Sequence, residues 1–280
     1  MIERQTEHTE YLIFNIFSDV PRLSHAVFTR RRGFSAVPFA GLNASAVTGD
    51  DLAIVRRNKA EIVAALGLPL VATMPVHGGE VSVIDRQASD VDGGWHERLQ
   101  SRLRTIYADA MISDDAGFAL CWAYGDCTPI LFYDPAHTAF ALVHAGWRGT
   151  AVGVIPHAVA AMHERFGSRP ADLLAGVGPA IGACCYEVDE QVREAFARDP
   201  LVREAAVFEE RPDERGIKQS GLYLDVAASN VRQLLASGVA DDHIEVSGYC
   251  TGCHTDLFYS HRREPYPSGR FAVGIGLSEA

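Results

Sequence analysis

The chain has 280 residues, of which 48% are hydrophobic and 22% charged, and its formal net charge at pH 7 is −11. These proportions are ordinary for a globular protein with a large core, and such an acidic chain is a poor nonspecific binder of nucleic acids or membrane surfaces. The polar N-terminus resembles no signal peptide and no run is long enough to span a membrane, so we expect a cytoplasmic protein that acts on a small molecule and whose six cysteines are thiols or ligands.

The N-terminal half of the chain predicts one helix and several strands. Asp50 and Asp51 precede an apolar pattern that ends at Gly67, which predicts a helix between them. Residues 68–84 predict a strand, a tight turn at His77 and a second strand over 80–84. The polar, arginine-rich segment 85–104 predicts a loop with a short helix.

The remainder of the chain mixes strands and helices without strict alternation, which favours an α+β arrangement over a doubly wound parallel sheet. The helix predicted over 150–166 ends at Gly167. The other predicted helices cover 189–198 and 223–236. Strands are predicted within 118–133, 138–143, 172–177, 244–248 and 270–277.

Three segments place reactive side chains next to predicted strands. The run V-H-A-G-W-R-G-T, from Val143 to Thr150, follows an apolar segment and leads into a helix, an arrangement that commonly holds functional residues at a sheet edge. M-P-V-H-G-G begins at Met74 and Y-G-D-C-T-P begins at Tyr124. The three segments together predict a single site built from His77, Cys127 and His144.

The residues of this site are compatible with two kinds of chemistry. A catalytic zinc ion takes three protein ligands and keeps one position open, and two histidines with one cysteine are close to known sets. The same residues could instead form a cysteine nucleophile with a histidine base. Asp126 is a candidate general acid/base or orienting group, with a turn cap as the alternative, and Arg148 is a candidate clamp for phosphate or carboxylate.

Other metal and haem sites have weaker support. C-T-G-C-H, from Cys250 to His254, matches a haem-attachment pattern, but that chemistry normally occurs outside the cytoplasm. As half of a zinc site, this motif needs a second pair, and the adjacent Cys184 and Cys185 are expected to be a poor one. None of the 11 histidines forms an H-x-H pair, which argues against a trinuclear copper cluster, although a single copper ion in the His-Cys-His site remains possible.

Seven motifs in their order along the chain resemble one family. They are P-V-H-G at 75–78, G-D-C-T-P at 125–129, H-A-G-W-R-G-T at 144–150, V-G-P-A-I-G at 177–182, C-Y-E-V at 185–188, F-Y-S-H-R-R at 258–263 and G-R at 269–270. The chain resembles the bacterial YfiH-like group, also called the multicopper polyphenol oxidoreductase or laccase-domain family, from about residue 20 onward. This group includes purine nucleoside phosphorylases related to laccase-domain-containing protein.

The resemblance implies a fold and a set of activities. It implies a single layered α/β/β/α domain with mixed sheets over residues 21–280, similar to a Cys-His toxin hydrolase, after an N-terminal extension over 1–20. It implies phosphorolysis of adenosine, inosine, guanosine and methylthioadenosine, together with adenosine deamination. It also implies a metal on His77, Cys127 and His144, usually zinc, with copper less favoured.

Further residues are assigned to the site on the basis of this resemblance. Cys127, Asp126 and His144 are the expected catalytic residues. The expected substrate and phosphate-binding residues are Arg148, Lys59, Asn43 and Arg263. The chain departs from the usual family pattern at Pro75, where glutamine is usual, at Gly125, where alanine is usual, and at Lys59, where arginine is usual, and these changes bear on the substrate.

Two other functional classes remain open from the sequence. Some bacterial members are named peptidoglycan editing factors, which suggests a metal-free hydrolase or amidase acting on cell-wall precursors with Cys127 as nucleophile and His144 as base. A non-catalytic assembly factor is the third hypothesis. Copper-dependent polyphenol oxidation is the least favoured because of the histidine pattern.

Overall fold

A computed structural model describes residues 1–85, 106–212, 220–264 and 266–279. Apart from Asp85, the loop and short helix predicted for 85–104 lie outside these residues.

The described strands and helices alternate irregularly along the chain. The strands are β1 (Ile2–Gln5), β2 (Thr9–Ile13), β3 (Leu23–Arg32), β4 (Leu70–Val71), β5 (Val81–Val83), β6 (Ala110–Ser113), β7 (Phe118–Tyr124), β8 (Thr128–Asp134), β9 (Ala139–Ala145), β10 (Leu174–Val177), β11 (Glu187–Val188), β12 (Phe208–Pro212), β13 (Ser220–Leu224), β14 (Ile244–Val246) and β15 (Phe271–Leu277). The α-helices are α1 (Leu52–Leu66), α2 (Trp147–Ala151), α3 (Val154–Phe166), α4 (Glu190–Phe196), α5 (Pro200–Ala205) and α6 (Val226–Ala236). Single turns of 3-10 helix cover Asn15–Phe17, Pro170–Asp172 and Asp241–His243.

Among the described residues, two six-stranded sheets form the body of the protein, and a three-stranded sheet lies beside them. The first sheet has the order β1-β2-β3-β15-β7-β4, the second has the order β14-β10-β8-β9-β6-β5, and the third has the order β11-β13-β12. Most neighbours are antiparallel, but β4 with β7, β5 with β6 and β10 with β14 are parallel pairs. The large sheets are therefore mixed, as the resemblance implies.

The main core lies between the two large sheets, and helices cover their outer faces. Residues alternate in direction along β9, so Phe140 and Leu142 face the first sheet while Ala141 and Val143 face α3. On the far side of the first sheet, α1 packs against residues of β3 and β7 through Ile62 and other apolar residues. The order of the layers is helix, sheet, sheet, helix.

The helix signals in the sequence have clear structural counterparts. The Asp51 carboxylate caps α1 by accepting hydrogen bonds from the backbone N–H groups of Ala53 (2.7 Å) and Ile54 (3.3 Å). Gly67 follows α1 with a φ of 70°, a left-handed conformation that glycine adopts readily. The predicted helix is confirmed.

Two predicted helices have different boundaries in the structure. The helix predicted over 150–166 is two helices, α2 and α3, because Gly153 has a φ of 75° and breaks the regular backbone between them. The helix predicted over 223–236 begins only at Val226, since the residues before it form β13 and Asp225 is the cap.

The first 32 residues contribute three strands that the sequence did not predict. Residues 1–20, expected to be an extension, contain β1 and β2, which add to the first sheet beside β3. A domain boundary at residue 20 stays a prediction. No helix in the described part of the chain has the length and hydropathy of a membrane-spanning segment.

Candidate metal and catalytic site

The candidate site lies at one end of the core between the two large sheets. His144 is the penultimate residue of β9 and, by the alternation of that strand, faces the first sheet. Its ring lies 5.5 Å from the ring of Tyr124 and 6.1 Å from that of Trp122, measured between centroids. The buried imidazole is therefore fixed by aromatic side chains of the opposing sheet.

Cys127 and His77 reach the same place from two turns. Cys127 lies in the connection between β7 and β8, directly after Asp126, which has a φ of 94°. His77 itself has a φ of 60° and lies in the segment between β4 and β5. Left-handed backbone at non-glycine residues is uncommon and must be held by the surrounding structure.

A buried carboxylate that sequence analysis missed holds the His77 turn. Asp109 Oδ1 accepts a hydrogen bond from the backbone N–H of His77 at 2.8 Å, and Oδ2 accepts from those of Gly78 at 2.7 Å and Val76 at 3.2 Å. Asp109 Oδ1 also lies 3.1 Å from Nδ1 of His144. One side chain thus fixes both histidines of the site.

The three predicted ligands converge. One potential ligand atom from each of His77, Cys127 and His144 lies within 4.8 Å of the other two, and the two imidazole rings are 4.9 Å apart at 78°. Gly146 permits this approach, because a Cβ atom at that position would lie 2.8 Å from the Cys127 sulfur. We call these three residues the trio.

The charges within the trio favour a thiolate beside a protonated imidazole when no metal is bound. Burial opposes ionisation of Cys127, but the charge of His144 and hydrogen bonds from both imidazoles lower its pKa to about 6. Burial also opposes protonation of His144, but the Cys127 thiolate and the Asp109 hydrogen bond raise its pKa to about 9. A metal ion would displace that proton, since metal ligands must be deprotonated.

The donor set and its accessibility suit a metal ion with an open coordination position. His144 is buried, Cys127 is half-buried and His77 is exposed, so the site is open to solvent on one side. The His144 Nδ1–H can donate to Asp109, which leaves Nε2 as the ligand atom, and such a carboxylate partner is usual for metal-binding histidines.

Asp126 holds the Cys127 turn against the C-terminal segment. Its Oδ1 accepts hydrogen bonds from the hydroxyls of Thr251 (2.6 Å) and Ser260 (2.7 Å), and its Oδ2 accepts from the backbone N–H of Arg262 (2.7 Å). This carboxylate is adjacent to the trio, and three donors from a distant part of the sequence occupy it.

Arg148, one of the predicted anion-binding residues, lies at the surface near the trio. It is the second residue of α2, which begins two residues after Ala145, and its guanidinium carbon lies 4.2 Å from the ring centroid of Trp147. The side chain is exposed. Its positive charge lies near the Tyr186 hydroxyl. Arg262 stacks on the ring of the same tyrosine, with its guanidinium carbon 4.7 Å from the ring centroid.

The other three predicted anion-binding residues lie in different surroundings, and their role in binding stays a prediction. Asn43 is fully buried and its amide bonds with Ser45, Thr48, Asp50 and the backbone of Arg270. Lys59 lies on α1 near Cys121, on the opposite face of the first sheet from Tyr124. The stem of Arg263 packs at Gly252, beside a second group of cysteines.

A second guanidinium lies close to the trio. Arg270, the arginine of the G-R motif, packs so tightly on Gly125 that a Cβ atom there would lie 2.8 Å from its Cδ. Its Nη1 donates to Ser268 and Gly269, and Asp126 and Cys127 favour its charged form, although burial lowers its pKa. The glycine at 125, a departure from the family pattern, makes room for this side chain.

Comparison with known proteins identifies relatives over nearly the whole chain. A family model described as multi-copper polyphenol oxidoreductase laccase matches residues 24–278. The chain is 36% identical over 254 residues to a purine nucleoside phosphorylase YlmD of Geobacillus stearothermophilus, covering 90% of this chain and 89% of that protein. It is 32% identical to a purine nucleoside phosphorylase of Bacteroides thetaiotaomicron, covering 96% of this chain and 97% of the relative.

Solved structures have the same fold. The crystal structure of YlmD from Geobacillus stearothermophilus superposes with a TM-score of 0.83 at 32% identity and covers 99% of this chain and 98% of that one. A Bacillus licheniformis protein YfiH superposes with a TM-score of 0.82 at 29% identity, covering 99% of each chain. With the family model, these matches show that the chain belongs to the multi-copper polyphenol oxidoreductase laccase family, the YfiH-like family that its motifs resemble.

Proposed function

We propose that this protein is a zinc-dependent purine nucleoside phosphorylase that also deaminates adenosine. The observation that carries the proposal is the convergence of His77, Cys127 and His144 within 4.8 Å at a half-open site whose buried histidine is oriented by Asp109. The names of the relatives support the reaction class. The proposed substrates are adenosine, inosine, guanosine and methylthioadenosine.

The trio fits zinc by its donor chemistry. One thiolate and two imidazoles are ligands that zinc accepts readily, and three protein ligands leave one position for water or substrate. Zinc, when bound, supplies a Lewis acid that lowers the pKa of a bound water molecule and polarises substrate oxygen atoms. Copper accepts the same donors, so it is the alternative metal.

The protein's own residues hold this site in one arrangement. Asp109 accepts hydrogen bonds from His144 Nδ1–H and from three backbone N–H groups at and beside His77, which fixes both imidazoles before any ligand binds. Because Asp126 already accepts three hydrogen bonds, we assign it the role of positioning the Cys127 turn in place of transferring a proton.

Positive charge near the open side supports binding of phosphate. Arg148 is exposed beside the trio, and Arg270 lies close enough to Cys127 for their charges to interact. In phosphorolysis a phosphate oxygen bonds to the anomeric carbon of the ribose, and the purine leaves with the electron pair of the glycosidic bond. A guanidinium that holds the dianion in line with that bond contributes through orientation and electrostatics.

The test is product analysis with adenosine in the presence and absence of phosphate. We expect adenine and ribose 1-phosphate only with phosphate, inosine without phosphate, and hypoxanthine from that inosine when phosphate is present. The Cys127→Ala variant is the inactive control, and Cys121→Ala is the matched control, because Cys121 is buried on the other face of the first sheet. If wild type forms no more product than Cys127→Ala, the proposal is wrong.

One observation favours a second function, a metal-free cysteine hydrolase or amidase. The neighbouring imidazoles lower the pKa of Cys127, which is the condition that a cysteine nucleophile requires. This function predicts activity on cell-wall precursor amides that survives chelators and is abolished by iodoacetamide. Loss of all activity on removal of metal favours the phosphorylase.

A further inference from the structure

Four of the six cysteines form a second group on the surface, separate from the trio. Sulfur atoms of Cys184, Cys185, Cys250 and Cys253 all lie within 4.8 Å of one another. We call these residues the cysteine cluster. The expectation that the adjacent pair is a poor partner for the C-x-x-C motif is wrong, because the fold brings the two pairs together.

We propose that the cysteine cluster binds one zinc ion as a tetrahedral tetrathiolate site. Four sulfurs at about 2.3 Å from a zinc ion define a tetrahedron whose edges are about 3.8 Å long. The Cys184–Cys253 and Cys185–Cys253 sulfur separations in the structure are 3.4 Å and 3.6 Å. These values match that edge and are far longer than a disulfide bond.

The backbone holds both pairs in place. The segment ending at Cys185 closes a turn in which the N–H of Cys185 donates to the carbonyl of Gly182 at 2.9 Å, and Cys253 donates to the carbonyl of Cys250 at 3.1 Å. The two segments pair with each other, since Thr251 N–H donates to the Ala180 carbonyl at 3.0 Å. The sulfurs are therefore brought together by contacts that do not involve a metal.

The two turns that carry the cysteine pairs pack closely against each other near the sulfur atoms. A Cβ atom on Gly252 would lie 2.9 Å from Cβ and 3.0 Å from the sulfur of Cys185, so only glycine fits at position 252 of the C-x-x-C motif. The backbone N–H of Gly182 donates to the Cys250 sulfur at 3.3 Å, a contact that stabilises a thiolate.

Two arginines lie near the cysteine cluster. The guanidinium of Arg211, which also pairs with Glu209, donates to the carbonyl of Ala183 at 3.3 Å, and its charge interacts with Cys184. The stem of Arg263, which the sequence assigned to substrate binding, packs against Gly252 within the C-x-x-C motif.

The location gives the proposed zinc a structural role. Ile181, just before the first pair, donates its N–H to the Asp126 carbonyl at 2.9 Å, and Thr251, between the second pair, donates to the Asp126 carboxylate. A zinc ion that joins the two turns would therefore brace the residue that precedes Cys127. Asp126 accepts both of these hydrogen bonds, one from each turn.

The test uses a protein in which the trio is disabled. A His77→Ala, Cys127→Ala variant, purified anaerobically with a thiol reductant, is expected to retain one zinc ion per chain. X-ray absorption at the zinc edge should show four sulfur ligands at about 2.3 Å. Adding Cys121→Ala should leave this zinc unchanged, and adding Cys250→Ser with Cys253→Ser should remove it.

Several results would overturn the proposal. They are a metal-free trio variant, a zinc ion with nitrogen or oxygen ligands, zinc that persists after both serine substitutions, and a disulfide within the cluster under the reducing conditions. If the serine variants fail to fold, the number of sulfur ligands to zinc in the His77→Ala, Cys127→Ala variant decides whether the proposal is correct. Because this readout involves no catalysis, it is independent of the proposed phosphorylase activity.

Discussion

The substitution Asp109→Asn tests how the site is held together. Each carboxylate oxygen of Asp109 contacts two donors: Oδ1 faces the backbone N–H of His77 and the His144 ring, and Oδ2 faces the N–H groups of Val76 and Gly78. An amide keeps a single acceptor oxygen. In either orientation of the amide, its NH₂ group therefore faces N–H groups that donate hydrogen bonds to the carboxylate of Asp109.

The expected magnitude follows from these contacts. Hydrogen bonds to a charged group contribute about 1.5–3 kcal/mol each, so losing two should lower the free energy of unfolding by about 3 kcal/mol or more. If the NH₂ group faces His144, Nδ1 becomes an acceptor and the proton moves to the nitrogen that would bind metal. Loss of such a carboxylate partner typically costs 10–100-fold in metal affinity, on the order of 1.4–2.8 kcal/mol.

The assay is competition for zinc against a chromophoric chelator, with urea denaturation in parallel. Zinc binding at the trio is the part of the titration that the Cys127→Ala variant lacks. Asp134→Asn is the matched control, because Asp134 is a buried carboxylate that contacts His137 Nδ1 at 2.8 Å at the other end of β8. That control should lose stability and keep its zinc affinity. Unchanged zinc affinity in Asp109→Asn, or an equal loss in the control, would refute the reasoning.

Three further predictions concern phosphate, acid stability and the space around the thiolate. Arg148→Gln should raise the KM for phosphate about 10–100-fold, the value of one charge-assisted hydrogen bond, and leave deamination unchanged, whereas Arg169→Gln on the surface should change neither reaction. Burial lowers the pKa of His25 to about 4. The unfolded chain therefore takes up this proton first as pH falls, and the free energy of unfolding should rise by about 3 kcal/mol from pH 4 to 6.5, a rise that His25→Gln should remove in urea titrations. Gly146→Ala places a Cβ atom 2.8 Å from the Cys127 sulfur and should weaken zinc binding at least about tenfold in the same chelator assay.

Each of these has a contrary result. Equal losses of phosphorolysis and deamination in Arg148→Gln would assign the arginine to the nucleoside or to the fold. An acid-stability slope that persists without His25 would place the titration elsewhere. Full zinc affinity in Gly146→Ala would mean that the thiolate is not held against that glycine.

The trio could be predicted from the sequence because each member follows or ends an apolar strand within a recognisable motif. Asp109 was not predicted, although its charge interrupts an apolar run from Ala108 to Ile112, a pattern that marks a buried ionisable residue. Its partners come from a segment more than 30 residues earlier and from β9, and only the tertiary fold shows them. An isolated carboxylate within an apolar run is the signal to use in related chains.

The helix boundary at Gly153, the N-terminal strands and the cysteine cluster were harder to predict, because they also depend on the tertiary fold. The break at Gly153 depends on its left-handed backbone, and a glycine within a helical pattern does not reveal its φ in advance. Strands β1 to β3 join the first sheet through the pairing of β3 with β15, at the far end of the chain. Cys184 and Cys185 are adjacent in sequence, and the turn that closes at Gly182 directs both sulfurs toward the C-x-x-C motif.

Ribose 1-phosphate production from inosine is the most direct test of the central claim that the trio binds a metal that phosphorolysis requires. The comparison is between protein stripped by a chelator, the same protein reloaded with zinc, and reloaded Cys127→Ala. The account predicts product only from the reloaded wild type. Equal product from stripped and reloaded protein, or from the alanine variant, would contradict it.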